Sequence, residues 1–479
     1  MSETRYVSGL QVARLLGEVP HERPVYVALA RGLRGLIQDG KVALRVRLPA
    51  ERDLATALGV SRTTVTAAYD ALREDGYITS RQGAGSWTAL PLAQPLSGGA
   101  PRFTAQHGRV DGMTDLGCAA PAAPEVFAEC VEAAVRELPR YSCGAGYEPN
   151  GVMALRVAIA ERYTRRGLPT RPEEIVVTTG AQHACALLFR TLANSGDTVM
   201  VERPTYPHAL SSLRDRGARL VPVGVHDGWD VELMGAAMRQ AAARLAYTVP
   251  DFQNPTGHLM AEETREGVVA AARAAQAQVI SDETFAELEI DVPPVRPMAC
   301  FDAGGRVISV GSASKLFWGG LRVGWIRTSI PLAARLAVAR EPMDIGTPIL
   351  DQLIVAELFQ RIEEVRAERR RLLLASRDAL VDALNLRLPE WTFTVPGGGM
   401  SLWVRLPAPV AVQVSEAALR RGVRIVPGPV FGVDGVLEDC FRIPFVLTPD
   451  VLTETVDRLA AAYADIESLP LARPLPAYV

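Results

Sequence analysis

The chain has 479 residues, of which 48% are hydrophobic and 22% charged, and its formal net charge is −3 at pH 7. That length and apolar content are enough for two or three domains with buried cores, whereas the weak negative charge excludes a uniformly polybasic protein. The six cysteines show neither Cys-x-x-Cys spacing nor clustering with histidine, and no apolar signal region or 18-residue apolar run occurs, so we expect a cytoplasmic protein without a disulfide framework, a metal site or a membrane span.

The first 90 residues predict a small helical domain. Apolar residues recur at helical spacing over 24–39, a second short helix fits 49–59, and Ser61 is a candidate N-cap for a third helix. Residues 77–87 then predict a hairpin with a glycine-rich tip. Three helices and a hairpin are typical of a winged helix-turn-helix, but on the pattern alone any other small helical domain is an equal alternative.

A family resemblance decides between these alternatives. The segments that carry it are Leu48–Ala55, Leu58–Val65, Ala68–Tyr69, Leu72, Gly76–Ile78 and Arg81–Gly85. Together they closely resemble the DNA-binding domain of GntR-family transcription regulators, here residues 1–89. The resemblance implies that seven residues contact double-stranded DNA. They are Arg52, Ser61, Arg62, Thr63, Thr64, Thr66 and, at the wing tip, Gly83.

Residues 90–111 mix proline, glycine and serine without periodicity, and we interpret them as a linker. Beyond it, apolar β-like runs alternate with longer helical segments. The strand candidates are Ile175–Thr179, Val199–Val201, Leu220–Val223, Leu245–Val249, Gln278–Ser281, Val307–Val310 and Gly324–Ile326. This alternation predicts an α/β domain with a mostly parallel sheet over 112–370, followed by a smaller α/β domain over 371–479.

Polar residues follow five of these strands, where ligands bind in parallel sheets. They are Gly180–Gln182, Tyr206, Asn254–Gly257, Asp282 and Ser312–Lys315. Each one alone is more often a turn or a helix cap, but five in one sheet indicate a binding site.

Lys315 is the most informative of these positions. Among the 51 basic residues only Lys41 and Lys315 are lysines, and all the others are arginines. Arginine stays protonated and cannot act as an amine nucleophile, whereas lysine can lose its proton and form a Schiff base. A lysine kept at the end of a strand, with Arg322 seven residues later, therefore predicts an amine beside a phosphate site.

Residues 112–470 resemble the fold type I, aspartate-aminotransferase-like proteins that use pyridoxal 5′-phosphate (PLP). The resemblance implies that Lys315 holds PLP as a Schiff base and that Asp282 pairs with its pyridine nitrogen. It also implies that Asn254 donates a hydrogen bond to the phenolate oxygen and that Tyr206 stacks on the ring.

The same resemblance implies three further contacts. The residues placed around the phosphate are Ala181, Gln182, Ser312, Ser314 and Arg322. Arg442 matches the arginine that binds a substrate carboxylate, and Tyr147 matches the tyrosine that reaches the partner subunit's phosphate. At the position of Phe285 the family usually has a tyrosine whose hydroxyl bonds the phenolate oxygen. The absence of that hydroxyl here predicts weak transamination.

A basic run over 361–377 alternates with leucine and glutamate. We interpret it as the solvated face of a helix, with an auxiliary DNA-contacting patch as the alternative.

A GntR-like winged helix joined to an aminotransferase-like domain resembles the MocR/GabR regulators over nearly the whole chain. The resemblance implies a PLP-dependent, DNA-binding transcription regulator that senses PLP or an amine or amino-acid effector at promoter DNA. It also implies a head-to-tail homodimer in which each winged helix lies against the partner's large domain. Two alternatives are a working aminotransferase with an appended DNA-binding domain, and a DNA-binding dimer whose PLP fold is empty. The effector, the target genes and the direction of regulation are not predicted.

Overall fold

The computed structural model describes residues 6–17, 24–38, 41–42, 46–81, 85–89, 109–110 and 112–467. The wing-tip residue Gly83 and most of the predicted linker lie outside these ranges. Within them, no helix is both long and apolar enough to cross a bilayer, and no group of acidic, histidine and cysteine side chains is arranged to hold a metal ion.

The N-terminal part has the predicted winged-helix architecture. Its elements are α1 (Gly9–Leu16), α2 (Val25–Gln38), α3 (Glu51–Leu58), α4 (Arg62–Glu74), β1 (Ile78–Arg81) and β2 (Gly85–Thr88). Helix α3 ends at Gly59, whose φ of 67° suits a residue without a Cβ, and Ser61 caps α4 through a bond from the Thr64 amide. Helix α1 was not predicted; its start is closed by a capping box between Ser8 and Gln11.

The central part contains a seven-stranded sheet and the helices around it. After two short strands, β3 (Arg109–Val110) and β4 (Met113–Asp115), the sheet strands are β5 (Ile175–Thr178), β6 (Thr198–Arg203), β7 (Arg219–Gly224), β8 (Leu245–Thr248), β9 (Gln278–Asp282), β10 (Val307–Ser312) and β11 (Gly324–Arg327). The helices are α5 (Phe127–Glu137), α6 (Met153–Arg165), α7 (Ala181–Leu192), α8 (Pro207–Asp215), α9 (Val231–Gln240), α10 (Glu262–Ala274), α11 (Ala313–Leu316), α12 (Ile330–Arg340) and α13 (Ile349–Gln360).

All seven predicted strands form, and they lie in one sheet. Across it the order is β5-β11-β10-β9-β8-β6-β7, and only β11 runs antiparallel to its neighbours. Every residue of β5, β6, β8 and β10 is buried, which explains their continuous apolar character. The α/β fold with a mostly parallel sheet is therefore confirmed.

The C-terminal part is the smaller α/β unit. Its elements are α14 (Ile362–Arg387), β12 (Thr392–Phe393), β13 (Ser401–Arg405), α15 (Ala411–Arg420), β14 (Val423–Arg424), β15 (Val426–Pro427), β16 (Cys440–Pro444) and α16 (Pro449–Glu467). One sheet has the order β12-β13-β16-β15, and β14 pairs in parallel with β4 in a second sheet. The boundary that we predicted after residue 370 falls inside α14, so the two domains share this helix.

One cluster of buried side chains joins the winged helix to the C-terminal part of the same chain, whereas the resemblance implied a contact with the partner's large domain. From the winged helix it includes Leu29, Leu33, Ile37, Leu54, Val65, Tyr69 and Leu72; from the C-terminal part it includes Trp403, Phe431, Val436, Leu437 and Cys440. A polar contact supports it, because buried Arg203 at the end of β6 donates through Nη2 to the carbonyl oxygen of Ile37 at 3.2 Å.

Candidate cofactor site and nucleic-acid interface

A cavity of about 560 Å³ lies at the carboxyl ends of the parallel strands, beneath residues of the C-terminal part. The predicted site residues that line it are Ala181, Gln182, Tyr206, Asn254, Asp282, Ser312, Ser314, Lys315, Arg322 and Arg442. Positions far apart in sequence thus meet in one place. Their individual roles stay predictions, but their assembly gives the cavity three chemically distinct regions.

The first region surrounds the amine of Lys315, which lies in the single turn α11 directly after β10. Its Nζ donates to the carbonyl oxygen of Ala119 at 2.6 Å and lies 5.9 Å from the centre of the Phe285 ring. Burial lowers the pKa of Lys315 from 10.5 to about 8. A larger fraction of this amine is therefore neutral near physiological pH than for an exposed lysine, which favours nucleophilic attack.

Asp282 lies opposite, at the end of β9, in a network that the sequence did not reveal. Its Oδ2 accepts from the Tyr247 hydroxyl at 2.6 Å, and its Oδ1 accepts from the hydroxyl and amide of Thr284 at 2.5 and 3.1 Å. Burial raises the pKa of Asp282, while the bonds from Thr284 and Tyr247 oppose that rise. Tyr247 lies in a strand whose residues are all buried, and a buried tyrosine hydroxyl needs a hydrogen-bond partner. That need is the sequence signal that could have pointed to this network.

The second region is a candidate anion site at the start of α7. Gly180 occupies the N-cap position with φ 91° and has no side chain to accept from the first-turn amides, so the helix start is uncapped, and Ala181 and Gln182 of that turn line the cavity. A Cβ at Gly180 would lie 2.6 Å from Nη2 of Arg322, so only glycine lets this guanidinium approach. The Ser312 hydroxyl accepts from the Ser314 amide at 3.1 Å, and both residues border the same space.

The third region is the guanidinium of Arg442 on β16. Its Nη2 donates to the Gly117 carbonyl oxygen at 2.6 Å, its Nη1 donates to Asn254 Oδ1 at 3.4 Å, and its Nε is buried without a partner. Burial lowers the pKa of Arg442 to about 10. Arg442 lines the cavity, where the charge of its guanidinium would pair with a bound carboxylate.

These three regions fit PLP. The uncapped start of α7 with Arg322 suits its phosphate, the buried carboxylate of Asp282 suits its pyridine nitrogen, and the Lys315 amine suits its aldehyde. When bound, PLP supplies an electron sink for the carbon that carries an amine.

Two predicted features at the edge of the site have different outcomes. Phe285 lines the cavity, so its phenyl ring lies in the site where the resemblance implies a tyrosine hydroxyl. Tyr147 is 67% exposed and does not line the cavity of its own chain. Its contact with a partner subunit stays a prediction.

Sequence reasoning missed the remaining walls of the cavity. The backbone of residues 117–120 covers both Lys315 and Arg442, and the other apolar walls are Trp318, Val426, Val430 and Phe431. No local motif marks residues 117–120, because they reach the site by folding back from before α5.

The predicted DNA-contacting residues lie around the start of α4. Those that are exposed are Arg52, Ser61, Arg62 and Thr63, and those that are half-buried are Thr64 and Thr66. Thr66 donates to Glu51 Oε2 at 2.9 Å, and Arg62 makes a looser contact with the same carboxylate at 3.4 Å. The guanidinium of Arg62 is therefore the more readily available for a nucleic acid.

The basic run on α14 does not form a solvated face throughout. Arg366 contacts Glu287, Glu289 and Glu363. Arg369 is buried and donates to the carbonyl oxygens of residues 316 and 317, next to Lys315. Arg377 is buried as well. The expectation of a solvated face is wrong for these two arginines, and the carboxylates around Arg366 argue against an auxiliary DNA patch.

Comparison with known proteins agrees with both parts of the chain. Residues 119–459 match the family of aminotransferases class I and II, and residues 25–87 match the bacterial regulatory proteins of the gntR family. The probable rhizopine catabolism regulatory protein MocR of Rhizobium meliloti is 31% identical over 95% of this chain and 97% of its own length. The 2-aminoadipate transaminase of Thermus thermophilus is 32% identical over 72% of this chain and 89% of the enzyme.

Solved structures give the same result for the larger part. The α-aminoadipate aminotransferase LysN of Thermus thermophilus, complexed with N-(5′-phosphopyridoxyl)-L-leucine, matches with a TM-score of 0.70 and 30% identity. The match covers 75% of this chain and 94% of that one.

Proposed function

We propose that the occupant of the Lys315 cavity determines how tightly this chain binds operator DNA. The chain belongs to the aminotransferase class I and II family and is a PLP-dependent transcription regulator of MocR-type architecture. The observation that carries this proposal is that ten predicted site residues line one cavity in a chain whose α4 keeps an exposed N-terminal turn. One molecule therefore combines a ligand site with a surface for DNA.

Within the cavity each group has a distinct task. Lys315 would attach PLP through its amine, Asp282 would hold the proton on the pyridine nitrogen, and Asn254 would donate to the phenolate oxygen. Tyr206 lines the same cavity and would stack on the ring. Tyr247 and Thr284 leave the Asp282 carboxylate little freedom to rotate, so it would meet the pyridine nitrogen from one fixed direction.

The effector is PLP itself or an amine or amino acid that joins it in the cavity. Arg442 provides a guanidinium that lines the cavity and would pair with a carboxylate, which favours an amino acid over a simple amine. The neighbouring walls at Trp318, Val430 and Phe431 are apolar, which favours a side chain without a second charge.

A homodimer in the cytoplasm is the assembly that we propose. Tyr147 is exposed and lies outside its own cavity, which supports a role at the phosphate of a partner subunit. Two winged helices in a symmetric pair would bind paired half-sites in double-stranded DNA.

The proposal is tested by selecting an operator from a random duplex pool and measuring its affinity by fluorescence anisotropy. We expect the PLP-loaded chain and the PLP-free chain to differ at least about fivefold in affinity, within the usual range of coupling between two sites. Lys315→Ala should match the PLP-free chain even when PLP is added. Equal affinities for all three proteins would contradict the proposal.

Aminotransferase activity is the second candidate, and the intact arrangement of Lys315, Asp282 and Arg442 favours it. The phenyl ring of Phe285 opposes it, because no hydroxyl from that position controls the phenolate oxygen. Keto-acid formation with a panel of amino acids distinguishes the two. Turnover at about 1–10³ s⁻¹ would indicate an enzyme, whereas a spectral change without product would indicate a sensor.

A further inference from the structure

Phe431 belongs to two parts of the molecule at once. Its ring lines the ligand cavity, and it also lies in the buried cluster that joins the winged helix to the C-terminal part. Val426 and Val430 also line the cavity and pack against the cluster, but they are only partly buried. Phe431 is 1% exposed, so among the described residues it is the one fully buried side chain that both sets share.

On the cavity side, the ring contacts the carboxylate-binding arginine. The guanidinium carbon of Arg442 lies 5.1 Å from the centre of the Phe431 ring, a cation–π arrangement. A carboxylate bound to Arg442 would compensate part of this charge. That change alters the attraction between the guanidinium and the ring.

On the other side, the ring leads to the winged helix. Phe431 packs edge-on against Trp403, with 5.6 Å between the ring centres. Trp403 lies in the buried cluster that joins the winged helix to the C-terminal part, and it lies opposite Arg442 in the pairing of β13 with β16. The Phe431 carbonyl oxygen also accepts from the Thr205 amide at 3.0 Å. Two residues before Thr205, Arg203 bonds to the last turn of α2.

We propose that Phe431 is the positioning residue through which a carboxylate on Arg442 changes how the winged helix is held. This rests on the proposed function, since it describes how an effector at that site acts on DNA binding. Because the core around the ring is closely packed, a shift of the ring cannot be absorbed locally and passes to Trp403 and the winged helix.

Two compounds isolate the carboxylate. N-(5′-phosphopyridoxyl)-3-methylbutylamine and N-(5′-phosphopyridoxyl)-L-leucine share the ring, the phosphate and the branched carbon chain, and only the second carries a carboxylate. The full-length chain, freed of PLP, is loaded with each compound, and its affinity for the selected operator is measured. We expect the affinities of the two loaded forms to differ at least about fivefold.

With each compound at a saturating concentration, checked by absorbance, the difference in operator affinity between the two loaded forms should largely disappear in the variant Phe431→Leu. Val436→Ala is the matched control, because Val436 lies in the same buried cluster as Phe431 but does not line the cavity. It should keep the difference. Retention of the difference in Phe431→Leu, or its equal loss in both variants, would overturn the role of Phe431.

Hydrogen exchange on the unaltered chain provides a test that needs no variant. The leucine conjugate should change the exchange of the Thr205 amide and of the α2 amides relative to the 3-methylbutylamine conjugate. Unchanged exchange at both places would overturn the proposal. Failure of either compound to bind at all would instead contradict the proposed PLP function.

Discussion

Replacement of Lys315 by methionine should stabilise the PLP-free protein at neutral pH. The pKa of Lys315 falls from 10.5 to about 8 in the fold, and at about 1.4 kcal/mol per pKa unit the buried charge costs about 3.5 kcal/mol. Methionine fills a similar volume without charge but loses the bond to the Ala119 carbonyl oxygen, which is worth about 1 kcal/mol. The free energy of unfolding should therefore rise by about 2.5 kcal/mol at pH 7.

The pH dependence gives this prediction its sign. Between pH 8 and 10.5 the unfolded chain binds a proton at Lys315 that the folded chain has released, so the stability of the unaltered protein rises with pH in this window. The advantage of Lys315→Met should shrink from pH 7 to pH 10 and then reverse. Urea unfolding of both PLP-free proteins at a series of pH values measures it, with Lys41→Met, at an exposed lysine, as the control. An advantage of the same size at pH 7 and pH 10 would refute the reasoning.

Three further substitutions test other contacts. Tyr247→Phe removes the hydroxyl bonded to Asp282 and should weaken PLP binding about tenfold or more, since a bond to a charged group is worth about 1.5–3 kcal/mol; an absorbance titration with PLP measures it. Gly180→Ala should displace Arg322 and weaken PLP binding in the same titration, because the added Cβ meets the guanidinium at 2.6 Å and φ is 91°. Arg62→Ala should reduce operator affinity by about 1–3 kcal/mol if it reads a base, and an equal loss on random DNA would make it a phosphate contact.

Much of the fold was predictable because its signals are local. The buried strands β5 to β11 are short apolar runs that alternate with helices, and both properties can be identified along the chain. The assembly of Lys315, Asp282 and Asn254 followed from topology, since the carboxyl ends of parallel strands meet at one edge.

The missing parts depend on contacts that no local pattern records. The hydroxyl of Tyr247 reaches Asp282 only through the lateral pairing of β8 with β9, and the Gly117 carbonyl meets Arg442 across 325 positions of sequence. The burial of Arg369 was missed because helical charges are usually solvated, whereas here the guanidinium bonds the backbone that follows Lys315.

Attachment of PLP at Lys315 is the central claim, and the rarity of lysine makes it directly measurable. The protein is loaded with PLP, reduced with sodium borohydride, digested and analysed by mass spectrometry. Because the chain contains only Lys41 and Lys315, there are two candidate lysine side chains. We predict one phosphopyridoxyl group per chain, on the peptide that contains Lys315. A label on Lys41, or no label on either peptide, would contradict the account.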